Sequence, residues 1–116
     1  MSEVVMYIVV NKDINMSKGK TSAQVAHVAV MASHLGSSVD PGSWLLWYGG
    51  SFTKICLEGK TSILENLMEM YCDTVCSVED EGRTEIAKGS LTALAFIPMP
   101  KDERPKELKR LSLLRG

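Results

Sequence analysis

Few residues in this chain are suited to metal binding or cross-linking. Among 116 residues there are three cysteines, two histidines and four prolines, and aromatic residues make up 6%. Three cysteines cannot all pair internally, so a disulfide-dense secreted scaffold is excluded and a reducing compartment, the cytosol, is expected. Cys72 and Cys76 are four apart, but His27 and His34 lie far away in sequence, and no further ligand stands at zinc-site spacing. We expect no metal and read the cysteines as small apolar core residues. The longest apolar run, Val4 to Val10, has seven residues, whereas a membrane-spanning helix needs about 20. The start of the chain does not read as a secretory leader. No excess of either charge exists: 13 Lys+Arg face 14 Asp+Glu. That excludes a histone-like polycation but leaves room for a local basic patch.

The composition is that of a globular domain, with 45% hydrophobic and 23% charged residues. The length suits one domain over 1–116. Val4–Val10 reads as a central strand buried on both faces. Ala23, Ala26 and Val30 recur at helical spacing, predicting a helix from about Lys20 to Ser33 that ends near Gly36. The stretch from Gly36 to Gly50 reads as a loop with a short turn of structure around Trp44 to Tyr48. Phe52–Leu57 reads as a second strand. Ser62-x-x-Glu65 has the form of a capping box and predicts a helix running to Tyr71 or Cys72. Thr74–Val78 and Leu91–Ile97 read as further strands, separated by a polar loop over Glu79–Ser90. In the tail, Leu108, Leu111 and Leu114 suggest a short amphipathic helix. This order predicts a single layered α/β/α domain with a small four-stranded mixed sheet.

Three segments carry candidate chemistry. Ser17-Lys18-Gly19-Lys20-Thr21 lies between a strand and a helix, where free backbone N–H groups and the positive helix end favour an anion. It is not a Walker A loop, because Ile14 stands where that motif needs glycine. Two lysines at a helix start oppose the dipole, which points beyond stability to a binding role. The second segment runs from Glu79-Asp80-Glu81-Gly82-Arg83-Thr84 to Lys88-Gly89-Ser90-x-Thr92. Its carboxylates, arginine and hydroxyls could orient and activate a water; the plain alternative is a solvated polar connection. The third candidate is His27, seven residues after Lys20 on the same helix face, with Gln24 between them. A packed histidine is the commoner role, and His34 reads as structural or solvated. No G-x-S-x-G elbow supports a serine triad. Lys101–Arg115 holds six basic and three acidic residues and reads as a solvated face or an RNA contact.

Taken together, Met6–His27, with its Lys18-Gly19-Lys20-x-x-Ala23-Gln24-x-x-His27 core, and Asp80–Thr92, with Asp80-x-Gly82-x-Thr84-x-Ile86-x-x-Gly89-Ser90-x-Thr92, resemble the peptidyl-tRNA hydrolase 2 family. The chain departs from the family pattern at Ser17, where glycine is usual, and at Lys88, where proline is common. It also departs after the last long strand, which runs Ala95-Phe96-Ile97-Pro98-Met99-Pro100. The resemblance implies hydrolysis of the ester between a peptide and the tRNA 3′ ribose, with no metal or organic cofactor. It implies catalytic roles for Lys20, Asp80, Thr84 and Thr92. Lys18, Gln24, His27, Arg83 and Lys88 would lie beside them as substrate contacts. Asp80 would position or deprotonate a water, Lys20 would stabilise an oxyanion or hold a phosphate, and the threonine hydroxyls would orient the water or the ester. Family members commonly form homodimers, and Trp44-Leu45-Leu46-Trp47 could supply such an interface or be buried in the monomer. Two other function classes remain open at this point: a non-catalytic RNA- or protein-binding module on the same fold, and a small phosphate-ligand binder using Lys18–Thr21.

Overall fold

The first strand, β1 (Val4–Asn11), is buried at every position. Its even residues Val4, Met6 and Ile8 belong to one apolar cluster and its odd residues Val5, Tyr7 and Val9 to another. A strand that alternates between two cores must lie mid-sheet with a layer on each face. The computed structural model, which describes residues 2–81 and 89–115, has this arrangement. Helix α1 (Lys18–Val39) covers one face. Helix α3 (Thr61–Met70) covers the other, together with the C-terminal segment. A short α2 (Pro41–Leu46) and one π turn (Trp47–Ser51) lead into β2 (Lys54–Gly59). Strands β3 (Val75–Glu79) and β4 (Leu91–Phe96) complete the long strands. No helix among the described residues is long and apolar enough to cross a membrane.

The sheet is larger than the four strands expected. Its order is β3-β4-β1-β2-β6, and β5 (Met99–Pro100) also pairs with β1. Strand β6 (Ser112–Leu113) lies antiparallel on the edge of β2. Both additions are two residues long, too short to show a period of two. β1 and β2 run parallel; β1 and β4, and β3 and β4, run antiparallel. The tail is likewise not an amphipathic helix. Lys106–Arg110 forms a 3₁₀ turn that buries Leu108, and the chain then extends into β6. Leucines three apart satisfy a 3₁₀ period as well as an α-helical one, and Pro105 just before limits the turn's length.

Two further expectations change. Helix α1 continues past Gly36 to Val39, because Gly36 lets it pass close over the chain at Pro98. A Cβ there would meet Pro98 Cδ at 2.9 Å. Helix α3 begins without the Ser62–Glu65 box: Lys60 is the N-cap and makes no side-chain cap. The N–H of Thr61 instead donates to Asp13 Oδ2 at 2.8 Å, so the cap comes from the loop after β1. The cysteines also differ from expectation. Cys56 and Cys76 are half-buried, and burial pushes both thiols up, but Cys72 is exposed. Trp47 is buried, with its Nε1–H donating to Thr53 O at 2.8 Å, while Leu45 and Leu46 are exposed.

Candidate active site

Helix α1 turns one line of residues inward at intervals of four: Gln24, Val28, Ala32 and Gly36. Lys20 stands one turn before Gln24 on that line. Ser17 caps the helix, its Oγ accepting from Lys20 N–H at 3.1 Å. The Ser17 side chain thus satisfies one of the first N–H groups of the helix. The cap fixes the turn that carries Lys20 over the end of the β3–β4 pair.

On the sheet side, a shift in register prepares the site. Val78 pairs with Ala93, but Glu79 pairs with Leu91, which leaves Thr92 as the extra residue. By alternation Thr92 would share a face with Leu94, toward α3. The irregularity turns it toward α1. There its Oγ1 accepts from Gln24 Nε2 at 2.9 Å and donates to Val78 O at 2.9 Å. Thr92 is fully buried and Gln24 nearly so, and each has found its partner. This contact ties the first turns of α1 to β3 and β4.

Asp80 follows β3 directly. Its N–H donates to Ser90 O at 2.8 Å, and its carbonyl accepts from Gly89 N–H at 2.7 Å. Gly89 holds φ +84°, a left-handed conformation that favours glycine. These two bonds pinch the ends of the 81–89 connection together and aim the Asp80 side chain at α1. Asp80 Oδ1 forms an ion pair with Lys20 Nζ. The carboxylate is completely buried, whereas 16% of the lysine side chain is exposed. A buried carboxylate is tolerated only with such a partner.

The structure therefore brings together Lys20, Gln24, Asp80 and Thr92 of the residues expected from sequence. Lys18 is exposed one turn-face away. His27, on the rim of the same helix face, is also exposed. Arg83, Thr84 and Lys88 lie outside the described residues. No group of three metal-ligating side chains occurs among the described residues.

Sequence reading missed Asn11. It is buried at the C-terminal end of β1. Its Nδ2 donates to Thr61 Oγ1 and to Leu91 O, both at 2.8 Å, and its Oδ1 accepts from Asp13 N–H at 2.9 Å. One amide thus joins β1, α3 and the residue before Thr92. The available signal was a polar residue closing an otherwise apolar central strand.

The family model of peptidyl-tRNA hydrolase PTH2 matches residues 4–114. The chain belongs to the peptidyl-tRNA hydrolase PTH2 family. Among similar proteins, a probable peptidyl-tRNA hydrolase 2 of Schizosaccharomyces pombe is 36% identical over 99 residues, covering 82% of this chain and 48% of that protein. This PTH2 chain therefore spans about half the length of the S. pombe relative. A peptidyl-tRNA hydrolase of Methanococcus vannielii is 33% identical over 113 residues, covering 92% of this chain and 96% of that one. A Bos taurus protein named peptidyl-tRNA hydrolase 2, mitochondrial, is 33% identical over 117 residues, covering 96% and 64%. The PTH2 match spans both halves of the site, so Lys20 and Asp80 sit inside one family domain.

Proposed function

We propose that this chain hydrolyses the ester between a peptide, or an N-blocked amino acid, and the 3′ end of tRNA, and that the Lys20–Asp80 pair is its chemical centre. The reaction is that of a carboxylic ester hydrolase acting on peptidyl-tRNA. Membership of the PTH2 family favours it over a binding module or a phosphate-ligand binder. The observation that carries the assignment to these residues is the asymmetry of the pair: the carboxylate is sealed, whereas the lysine side chain remains partly exposed.

That asymmetry divides the work. When water attacks the ester carbonyl, negative charge develops on the carbonyl oxygen; collapse of the adduct breaks the C–O bond to the ribose, and the 3′ oxygen leaves with the proton that the water gives up. Lys20 is the partly exposed member of the pair, and its Nζ stabilises that oxyanion. Asp80 holds the ammonium in place as a positioning residue, while Gln24 and Thr92 fix the helix and strand that carry the pair. Lys18 supplies a tRNA phosphate contact, which positions without reading sequence, and His27 stands beside the centre as a substrate contact. In this reading Arg83 and Lys88 add further phosphate contacts, and the Thr84 hydroxyl orients the water or the ester. The free cysteines accord with work in the cytoplasm. Exposed Leu45 and Leu46 are the surface on which a second copy would pair.

The test is release of an N-acetylated amino acid from tRNA, with the unblocked aminoacyl-tRNA as control. The wild type cleaves only the blocked substrate. Asp80→Asn lowers kcat by about 10²-fold, since the ammonium loses its anchor, while the pH profile keeps its shape. Loss of the acidic limb of that profile would instead make Asp80 the base. Full activity in the variant would move the centre elsewhere.

A further inference from the structure

Where β1 and β2 end side by side, the chain opens a cleft of about 660 Å³ that none of the catalytic residues lines. Parallel strands with a helix rising from the loop after one of them leave such a crevice at their carboxyl ends. Its volume is that of a small-ligand site. The cleft adjoins the centre through α1: Lys18 and Thr21 line it, and they flank Lys20 on the helix surface. It adjoins the centre through the sheet as well. Asn11 lines it and holds Leu91, the residue before Thr92. With both Nδ2 protons and Oδ1 engaged, Asn11 is wall rather than ligand.

The remaining lining has a definite character. Lys12, Lys18 and Arg115 supply three cations against one carboxylate, Glu58. Glu58 is partly occupied, because its Oε1 accepts from Arg115 N–H at 3.4 Å. Ile14, Met16 and Leu114 supply apolar surface. Leu114 is fixed there by its N–H donating to Cys56 O at 2.9 Å, which continues the β2–β6 edge. Aliphatic side chains against which a base can lie, ringed by cations for phosphates, suit a single-stranded ribonucleotide end. A nascent peptide would not require the positive balance.

We infer that this cleft is a subsite for the last nucleotides of the tRNA 3′ end, with the bases against Ile14, Met16 and Leu114 and the phosphates at Lys12, Lys18 and Arg115. The inference rests on the peptidyl-tRNA hydrolase reading and names which part of the substrate lies on this side of Lys20.

The experiment has two arms. In the first, a CCA ribotrinucleotide is titrated into the full chain and amide shifts are mapped. The expected shifts cluster at 12–18 and 114–115. Shifts elsewhere, or none at millimolar ligand, overturn the subsite. In the second, hydrolysis of N-acetyl-aminoacyl-tRNA is compared for Lys12→Ala, Arg115→Ala and Lys54→Ala. Lys54 carries the same charge but sits at the opposite end of β2, over the Phe52 ring. Lys12→Ala and Arg115→Ala each raise KM by about 3- to 10-fold with kcat unchanged, while Lys54→Ala changes KM by less than about twofold. Equal effects of all three would reduce the cleft to general electrostatics and overturn the subsite. A wild type that cleaves normally while Lys12→Ala and Arg115→Ala leave KM unchanged would overturn the subsite alone. A wild type that cleaves no blocked substrate would overturn the hydrolase reading and the subsite with it.

Discussion

At the scale of single residues, two buried polar groups carry opposite consequences. Asp80 is buried against Lys20, so removing the ammonium takes away the charge that balances the carboxylate. Lys20→Met removes that balancing charge and lowers unfolding free energy by about 3 kcal/mol, the low end of the range for breaking a buried pair because the lysine is partly exposed. Urea denaturation at neutral pH measures it, and Asp80→Asn in the same background recovers most of the loss. Tyr7 is the reverse case. Its hydroxyl is buried and finds no hydrogen-bond partner among the described residues. The ring fills the α3-side core, and the hydroxyl is buried with it. Tyr7→Phe therefore keeps the packing and removes a desolvated group, raising stability by about 1 kcal/mol. A lower urea midpoint for Tyr7→Phe would show that the hydroxyl is satisfied in solution.

At the scale of elements, α1 contains two glycines whose replacement by alanine has opposite outcomes. A Cβ at Gly19, in the first turn, would meet nothing within 4 Å, whereas at Gly36 that atom would lie 2.9 Å from the Pro98 ring. Gly19→Ala gains helix propensity and stabilises by about 0.5–1 kcal/mol. Gly36→Ala gains the same propensity but must push α1 off a rigid ring, for a net loss of about 1–3 kcal/mol. Thermal unfolding of the two variants should move in opposite directions. The same helix shows what sequence can convey. The apolar run Val4–Val10 announced β1, whereas the spacing of Ala23, Ala26 and Val30 announced α1 by its exposed side: the face that α1 buries is Gln24, Val28, Ala32 and Gly36. The Lys20–Asp80 pairing was legible only as two motifs resembling one family, since no local rule joins residues sixty apart. The turning of Thr92 toward Gln24 was not legible at all: it depends on one skipped residue in the β3–β4 register. Strands β5 and β6 were hidden for a different reason. Two-residue strands exist only because a longer strand already offers an edge, so their pairing is a tertiary event rather than a sequence pattern.

At the scale of the whole molecule, the C-terminal segment closes the structure. It buries Leu108 under the sheet, adds β6 to the β2 edge and carries Arg115 to the cleft beside the site. A hydrogen bond also ties it to the residue that ends α3, Tyr71 Oη donating to Glu107 Oε1 at 2.7 Å. That bond holds the Glu107 carboxyl below its ordinary range, and the same bond raises the Tyr71 phenol. A carboxyl whose pKa falls on folding adds stability that is complete above its unfolded pKa and is lost as pH falls through the folded value. A phenol whose pKa rises on folding adds stability that is present below its unfolded pKa and is lost as pH climbs through the folded one. The tether therefore works across the neutral range and fails toward both acid and strong alkali. Tyr71→Phe removes it while keeping the ring against Phe96, where the two centroids are 5.6 Å apart. The variant should be less stable than the wild type at pH 7, and the difference in urea midpoint should shrink as pH falls below the depressed Glu107 value. Hydrogen exchange locates the effect: the amides of Leu111 and Leu114, which donate to Leu108 O and Cys56 O, should lose protection at pH 7 before those of β1 do. A gap between variant and wild type that persists undiminished in acid would mean that the tyrosine oxygen stabilises the fold through something other than the ionised carboxylate.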